Sequence, residues 1–366
     1  MRPELPINEC LDQVIARLRG DRPVVLRAPP GAGKTTGVPP ALLRHDAVDG
    51  QILLLQPRRL AARAAAHRLS QLAGERVAET FGYHVRFDRA VGANTRVVAM
   101  TTGVLLRQLT ADPFLEHVGC VILDEFHERS LEIDLALGML QRLRTTVRPE
   151  LKLVVMSATL ETEPVERLLG DAVVIESRGR AFEVEVRYDK SLKRPSTKPS
   201  AIAEQVAGRM SDALRSIDGD VLVFLPGVGE IHRTADSISA LARKHQADVF
   251  KLYGELSPQQ QDAVLAPSPS RKIVLATNVA ETSVTIPGVT SVIDSGLARV
   301  MQFDPAVGLP SLRLQPISKA SADQRAGRAG RTAPGICYRL WPKRCTAADP
   351  ITRHRKSRSP TCPPPC

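Results

Sequence analysis

A short glycine-rich segment near the start of the chain combines the residue types that bind polyphosphates. Residues 28–35 read Ala-Pro-Pro-Gly-Ala-Gly-Lys-Thr, follow an apolar run and precede a helical pattern. The small residues at 31–33 let backbone N–H groups approach an anion at a helix N-terminus. Lys34 can reach the β- and γ-phosphates, and the Thr35 hydroxyl can bind Mg²⁺. The candidate ATP-binding residues are Pro30, Gly31, Ala32, Gly33, Lys34, Thr35 and Thr36.

Two adjacent carboxylates later in the chain could complete this chemistry. Asp124 and Glu125 directly follow the apolar run Val121–Leu123 and therefore end a predicted strand. There, Asp124 can hold Mg²⁺ largely through water, and Glu125 can orient and deprotonate the attacking water. The candidate Mg²⁺ ligands, partly through water, are Thr35, Asp124 and Glu125. Each motif alone has a plainer alternative: a glycine-rich turn that binds nothing, and a solvated strand end.

The elements that must position these groups alternate regularly. In the first half of the chain, short runs that are apolar throughout predict parallel strands covered by helices on both faces. These runs are Val24–Leu26, Ile52–Leu55, Val97–Met100, Val121–Leu123 and Leu153–Met156. Helical patterns lie between them at 58–73 and 131–144, and a helix that Asn8 can cap precedes the first strand. The order predicts a doubly wound α/β domain.

The same alternation restarts in the second half. We place a linker near 178–181 and an exposed loop at Lys190–Ser200, because both stretches are polar. Strands are predicted at Val221–Leu225, Val249–Leu252, Ile273–Ala276 and Val289–Asp294, and helices at 201–215, 230–243 and 258–266. Residues 300–316 have no helical period and predict a β-hairpin. The run Cys337–Trp341 predicts the last strand of a second α/β domain.

Composition limits the class of protein. A chain of 366 residues corresponds to about two domains at roughly 150 residues each. Fifty Lys and Arg against 39 Asp and Glu give a net charge of +11, which favours polyanionic partners, although solubility alone is the alternative. No apolar run approaches the roughly 20 residues that span a bilayer. We therefore expect no membrane role. Six cysteines in a chain this long do not make a disulfide scaffold, so we expect a reducing, cytoplasmic setting.

Further motifs follow the phosphate loop in a characteristic order. They are Pro57–Ala62, Thr101–Gly103, Asp124–Arg129, Ser157–Thr159, Phe224–Gly227, Thr277–Ser283 and Gln324–Arg331. From about Ile7 to Trp341 the chain resembles superfamily 2 helicases of the DEAH/RNA-helicase-A group. The segment Asp124-Glu125-Phe126-His127 is most similar to the bacterial HrpB-type branch, in which Phe replaces the Ala of DEAH.

The resemblance implies two tandem RecA-like P-loop domains, each a mainly parallel doubly wound sheet, with ATP and Mg²⁺ between them. The second domain would supply Arg328 and Arg331 as arginine fingers and Gln324 as a positioner of the attacking water. Charge develops on the γ-phosphoryl oxygens during transfer, and a finger can contribute about 10³–10⁵ in rate. The alternative for Arg325, Arg328 and Arg331 is one basic helix face that lies on a nucleic-acid backbone, since their spacing is three.

Three residues have an implied role in coupling nucleotide to strand binding. Ser157 and Thr159 match the family's coupling motif, and their alternative is a turn in which Thr159 caps a helix. His127 would link the carboxylates to the second domain, and its alternative is a structural histidine with satisfied hydrogen bonds.

A last group of residues matches family positions that hold the nucleic-acid backbone. These are Arg58, Arg59, Thr101, Thr102, Thr277 and Asn278. Guanidinium, hydroxyl and amide groups suit phosphate contact, which carries little sequence information. Locally, Thr102 could instead cap a helix, and Arg58 and Arg59 could open another. The hairpin at 300–316 matches in position the one that such helicases use to separate strands.

These features predict an ATP-dependent, RNA-preferring helicase motor with 3′→5′ polarity by resemblance. We expect domains at 1–178 and 179–342, followed by a basic tail at 343–366 that is disordered or aberrant. Because family members continue into further C-terminal domains, we expect the natural product to be longer. The alternatives are a core that binds nucleotide and RNA but unwinds poorly, and an ATPase that remodels complexes without unwinding. The expected partner is single-stranded or structured RNA, with DNA as an alternative, and protein partners are unknown.

Overall fold

The computed structural model describes residues 5–158, 163–177, 182–189, 197–266, 268–281, 286–304, 309–331 and 333–343. Within these ranges no helix is both long enough and apolar enough to cross a bilayer. The predicted linker at 178–181 and residues 344–366 of the predicted tail lie outside the described residues. The chain divides into two compact units, the first comprising residues up to 182 together with a helix at Pro258–Leu265, and the second the other described elements.

In the first unit, the described residues of the first half of the chain form eight strands and six α-helices. The strands are β1 (Val24–Arg27), β2 (Gln51–Gln56), β3 (Phe81–Val85), β4 (Asp88–Ala90), β5 (Val97–Thr101), β6 (Val118–Leu123), β7 (Lys152–Ser157) and β8 (Val173–Glu176). The helices are α1 (Asn8–Arg19), α2 (Lys34–Arg44), α3 (Arg59–Ala73), α4 (Thr102–Ala111), α5 (Leu131–Thr146) and α6 (Glu163–Leu169). Every strand predicted from the apolar runs is present.

These strands form one sheet in the order β4-β3-β5-β2-β6-β7-β1-β8, in which only β4 pairs antiparallel. Apolar side chains fill both faces: one core includes residues of α1, α2 and α3, and the other includes residues of α4, α5 and α6. Such two-sided burial is why the strands are apolar throughout. Because β2, β6, β7 and β1 are neighbours and parallel, their carboxyl ends lie along one edge of the sheet.

The second unit has a six-stranded parallel sheet and a separate hairpin. The sheet order is β11-β12-β10-β13-β16-β9. Its strands are β9 (Val184–Tyr188), β10 (Asp220–Phe224), β11 (Ala247–Leu252), β12 (Arg271–Ala276), β13 (Val289–Asp294) and β16 (Gly335–Arg339). The hairpin pairs β14 (Leu297–Asp304) with β15 (Leu309–Pro316). The helices are α7 (Pro199–Ser216), α8 (Val228–Lys244) and α10 (Lys319–Ala326), and the helix at Pro258–Leu265 is α9.

Several local predictions were wrong, each for a local reason. Asn8 is the first residue of α1, the N-cap is Ile7, and no side chain caps this helix. α7 begins at Pro199, inside the predicted loop at 190–200, because proline at a first helical position loses no intrahelical hydrogen bond. The strands β3, β4, β8 and β9 were not predicted. β4 and β9 lie at sheet edges, where strands are short or only partly buried and lack a continuous apolar run, and β8 is an edge strand of only four residues. β3 is an interior strand, but Gly82 and His84 interrupt its apolar run.

Candidate active site

The predicted phosphate loop connects β1 to α2 and has the backbone geometry that an anion needs. Gly31 and Gly33 have φ of +85° and +89°, in the left-handed region that glycine tolerates best. A Cβ at Gly33 would lie 2.8 Å from Cδ1 of Leu5, so a larger residue would not fit. Gly33 is also the N-cap of α2, and no side chain in the described part of the protein caps this helix through its first backbone N–H groups. Those groups are available to a phosphate.

Lys34 is 4% exposed, an unusual environment for an ammonium group. Its Nζ donates to the carbonyl oxygens of Ala28 at 2.7 Å and Pro29 at 3.3 Å, both in the loop itself. Carbonyl dipoles compensate a buried positive charge only in part. The lysine therefore favours a negatively charged ligand in the loop.

Asp124 lies at the carboxyl end of β6 and is fully buried, and its hydrogen-bond donors among the described residues are neutral. Its Oδ2 accepts from Thr35 Oγ1 at 2.5 Å and Gln56 Nε2 at 2.7 Å, and its Oδ1 accepts from the Glu125 N–H at 2.9 Å. Burial, and secondarily the charge of Glu125, raise the pKa of Asp124 to about 6 against the opposing effect of Lys34. A carboxylate this poorly compensated suits a bound cation, and the hydroxyl beside it supplies a second oxygen ligand.

Gln56 was missed by the sequence reasoning. It ends β2, which neighbours β6, and its amide fixes the Asp124 carboxylate from a position 68 residues earlier in the chain. The only sequence signal was a polar residue that ends an apolar strand, next to Pro57.

Glu125 and His127 form a pair directly after this strand. Glu125 has φ of +50°, a conformation that non-glycine residues rarely adopt and that concentrates at functional sites. His127 Nδ1 accepts from the Ala158 N–H at 3.2 Å, which leaves the ring proton on Nε2. That nitrogen lies 3.4 Å from Oε2 of Glu125. Burial lowers the pKa of His127 although Glu125 opposes the shift, so the ring is neutral at pH 7.

The predicted coupling motif is close to this pair within the first unit. Ser157 is buried at the end of β7, and the backbone of the next residue, Ala158, holds the His127 ring. Thr159 lies outside the described residues. The structure thus brings Lys34, Thr35, Asp124, Glu125, His127 and Ser157 to one edge of one sheet.

In the second unit, the predicted arginines do not share a helix face. α10 ends at Ala326, so Arg328 and Arg331 lie beyond the helix and the spacing of three has no helical meaning. Arg325 is 1% exposed and cannot lie on a nucleic-acid backbone. Its Nη1 donates to Asp294 Oδ1 at 2.9 Å and its Nε to Glu281 Oε2 at 2.8 Å. Burial by itself lowers the pKa of Arg325, but the two carboxylates outweigh this effect, and the pKa is raised.

Glu281 organises this arginine cluster and was also missed. Besides Arg325, its carboxylate accepts from the Ser321 hydroxyl, and its main-chain carbonyl accepts from Arg328 Nε at 2.8 Å. Arg328 is buried, whereas Gln324 and Arg331 are half-buried. Glu281 belongs to the motif Thr277–Ser283, but nothing in that motif indicated that its carboxylate pairs with an arginine.

The predicted nucleic-acid residues are dispersed. Arg58 is the N-cap of α3 and forms an ion pair with Glu128 at 3.2 Å, while Arg59 is exposed. Thr102 is the first residue of α4 and is 5% exposed, so it does not cap the helix; the N-cap is Thr101, without a side-chain hydrogen bond. Thr277 and Asn278 are half-buried in the second unit, around a short 3₁₀ turn at Asn278–Ala280.

Comparison with known proteins places both units in one family. The DEAD/DEAH box helicase family matches residues 8–168, and the helicase conserved C-terminal domain matches residues 198–333. The ATP-dependent RNA helicase HrpB of Escherichia coli strain K12 is 46% identical over 343 residues, which are 93% of this chain and 41% of that protein. A probable human ATP-dependent RNA helicase, DHX34, is 39% identical over 93% of this chain and 30% of its own length.

A solved structure agrees with the sequence matches. The crystal structure of the E. coli DEAH/RHA helicase HrpB has a TM-score of 0.84 and 45% identity, and the match covers 94% of this chain and 43% of that one. The chain therefore spans less than half the length of these relatives. With two tandem helicase domains in the expected order, and with this similarity in sequence and in fold, the chain belongs to the DEAD/DEAH box helicase family.

Proposed function

We propose that this chain hydrolyses ATP and couples hydrolysis to movement along single-stranded RNA in the 3′→5′ direction. One observation carries the proposal: a buried ammonium and a buried, poorly compensated carboxylate flank the free N-terminus of α2. That arrangement fits a polyphosphate with its metal ion. The relatives' names as ATP-dependent RNA helicases support the substrate and the partner.

In this proposal the phosphate loop holds the polyphosphate, and Lys34 moves from the loop carbonyls to the β- and γ-phosphates. Glu125 takes a proton from the water that attacks the γ-phosphate in line. The neutral His127 ring stands beside Glu125 and fixes the orientation of its carboxylate.

Mg²⁺ fits the oxygen donors in the same place. Thr35 and Asp124, already joined by a hydrogen bond of 2.5 Å, are the groups that would hold it, with Glu125 contributing through water. When bound, the ion neutralises charge on the phosphate oxygens. The role of this chain's residues is to present two oxygens with their geometry set in advance by Gln56 and by the Glu125 N–H.

The second domain supplies the remaining groups in the proposal. Arg328 and Arg331 act as arginine fingers, and Gln324 positions water. The hold of Glu281 on Arg328 supports this role, because a guanidinium fixed in advance needs less reorganisation to stabilise the transition state. We propose domain limits of 1–178 and 179–342, with 343–366 as a basic tail.

Strand binding is assigned to Arg58, Arg59, Thr101, Thr102, Thr277 and Asn278. In this proposal Ser157 and Thr159 couple it to the nucleotide. Backbone contacts of this kind do not distinguish sequences, and DNA remains a second substrate to test. The described cysteines Cys10, Cys120 and Cys337 are free and buried, which supports a reducing setting such as the cytoplasm.

The test is steady-state ATP hydrolysis by the 366-residue chain with and without single-stranded RNA. We expect RNA to stimulate ATP hydrolysis. Lys34→Ala should abolish hydrolysis, and Glu125→Gln should lower its rate by about 10²–10⁴-fold. Nucleotide binding by Glu125→Gln, measured by calorimetry, should survive. Hydrolysis that ignores RNA would indicate an ATPase that remodels complexes instead. Nucleotide and RNA binding without hydrolysis would indicate a core that does not turn over.

A further inference from the structure

The hairpin β14–β15 is joined to the second unit at its base and carries an apolar outer part. Leu297 and Ala298 are buried, and the Ile317 N–H donates to the Gly296 carbonyl at 3.0 Å. Farther out, the cross-strand partners Met301 and Leu312 are 60% and 61% exposed. Strands of eight residues reach about 27 Å, so a small rotation at the base displaces the outer part by a large distance.

One ion pair lies at this base. Arg299, the third residue of β14, donates from Nη1 to Glu230 Oε2 at 2.7 Å and from Nη2 to Glu230 Oε1 at 2.9 Å. Two parallel hydrogen bonds fix the guanidinium plane against the carboxylate. The Glu230 side chain is 2% exposed, so water competes little for it. The hydrogen bonds from Arg299 lower the pKa of Glu230.

Glu230 itself is rigidly placed. It occupies the third position of α8, whose N-cap is Gly227 of the Phe224–Gly227 motif. A carboxylate in the first turn of a helix is stabilised by the helix dipole. The pair therefore connects the first turn of a long helix on the sheet to a strand of the hairpin.

Gly227 makes this contact possible. A Cβ at Gly227 would lie 1.8 Å from Arg299 Nη1 and 2.9 Å from its Cζ, so the guanidinium passes directly over the Cα atom. The backbone does not need glycine, because φ of −171° and ψ of 178° are extended values that any residue adopts. The glycine is needed for the space that Arg299 occupies.

We propose that Gly227, Glu230 and Arg299 form a positioning lock that sets the direction of the hairpin and so determines how much strand separation accompanies each ATP hydrolysed. This inference rests on the proposed helicase function. None of the three residues is among those to which the proposed function assigns the nucleotide, the metal ion or the strand, so we expect hydrolysis on single-stranded RNA not to depend on the lock. Duplex separation does, because the direction of the apolar outer part depends on the base.

The first experiment measures the lock without any activity. Hydrogen–deuterium exchange of backbone amides in 298–303 and 311–315 is compared for the wild-type chain, Arg299→Ala, Arg299→Lys, Glu230→Gln and Gly227→Ala. A charge-assisted bidentate pair predicts exchange at least about tenfold faster when it is lost. Gly227→Ala should act like Arg299→Ala, since the added methyl only displaces the end of a flexible side chain. Glu185→Gln removes an exposed pair with Arg187 on β9 and is the matched control.

A double-mutant cycle separates the lock from a general loss of packing. In the Arg299→Ala background, Gly227→Ala should have no further effect on exchange, because the group that it displaces is absent. Additive effects of the two changes would overturn the proposal, as would unchanged exchange in Arg299→Ala. Both readouts are independent of ATP, so they remain informative if the chain does not hydrolyse it.

The functional readout is the ratio of duplex strands separated to ATP hydrolysed, on an RNA duplex with a 3′ single-stranded tail. We expect kcat for hydrolysis on single-stranded RNA to stay within about twofold, while the ratio falls about tenfold or more in Arg299→Ala and Gly227→Ala. Arg299→Lys, which keeps the charge but not the fork, should recover only part of the ratio. Equal losses in hydrolysis and separation would show a merely structural role and refute the lock.

Discussion

Asp124 in the first unit and Asp294 in the second are matched in position but not in surroundings. Both are fully buried at the carboxyl end of a parallel strand. Asp124 is held by a hydroxyl, an amide and a backbone N–H, and burial raises its pKa to about 6. Asp294 accepts from the guanidinium of Arg325, which is itself 1% exposed.

The difference in partners means that Asp124 can still bind a positively charged ligand, whereas Asp294 is already engaged in an ion pair with Arg325. Within the described residues, no buried cation is hydrogen-bonded to Asp124. A bound metal ion would therefore stabilise its charged form, which burial disfavours. Asp294 instead has the buried guanidinium of Arg325 as a partner; burial still raises the pKa of Asp294, but Arg325 opposes that rise, and the pair holds Arg325 in place. In the proposed function, these two aspartates, which are alike in the sequence, therefore have different roles: Asp124 takes part in catalysis and Asp294 stabilises the second unit.

The largest effect should follow from Asp294→Asn. This change leaves Arg325 buried with one carboxylate, that of Glu281, and breaking a buried ion pair costs about 3 kcal/mol or more. Cys337 on β16, beside β13, reports unfolding of the second unit, because burial raises the pKa of its thiol and protects it from alkylation. We expect Cys337 to become labelled at lower denaturant concentration than in the wild-type chain.

Cys120, on β6 of the first unit, is the internal control for that measurement, since burial raises the pKa of its thiol to about 12. Its labelling should not change in Asp294→Asn. Labelling of both cysteines at the same lowered denaturant concentration would contradict the assignment of the Asp294–Arg325 pair to the second unit alone.

A smaller effect on stability is expected from the matched change Asp124→Asn. The new amide can donate to Thr35 Oγ and, after rotation of the Gln56 amide, to its carbonyl oxygen, so the hydrogen bonds can be recovered. Removing a poorly compensated charge should leave the unfolding free energy obtained from Cys120 labelling in denaturant within about 1 kcal/mol of the wild-type value. ATP hydrolysis should nevertheless be lost. A loss of stability as large as that of Asp294→Asn would remove the contrast between the two aspartates.

The smallest effect should come from Arg129→Ala. Arg129 forms two hydrogen bonds of 2.8 Å with Asp134, but both side chains are more than 40% exposed. Exposed pairs contribute about 0.2–1 kcal/mol, and Arg129 also lies over the Phe126 ring. We therefore expect an unfolding free energy within about 1 kcal/mol of wild type by denaturant titration. A loss of unfolding free energy close to that of Asp294→Asn would contradict this expectation. It would show that the burial of an arginine does not decide how much its ion pair contributes to stability.

Much of the fold could be predicted because its signals are local. Continuous apolar runs gave the central strands, and the small residues before Lys34 gave the phosphate loop. The edge strands β4 and β9 could not be predicted in this way, because polar residues interrupt their apolar runs. The alternative that placed Arg325, Arg328 and Arg331 on one helix face was wrong, because a spacing of three has that meaning only where a helix continues, and α10 ends at Ala326.

The sequence by itself determined which residues could bind phosphate and metal, because those properties belong to side-chain chemistry and to short turns. Only the tertiary structure decided which of them meet. Strand order brings Gln56 to Asp124, and packing removes Arg325 from solvent and lays Arg299 across Gly227. The physical reason is that desolvation and pairing depend on neighbours that are distant in the chain. A charge acquires its role from what surrounds it in space.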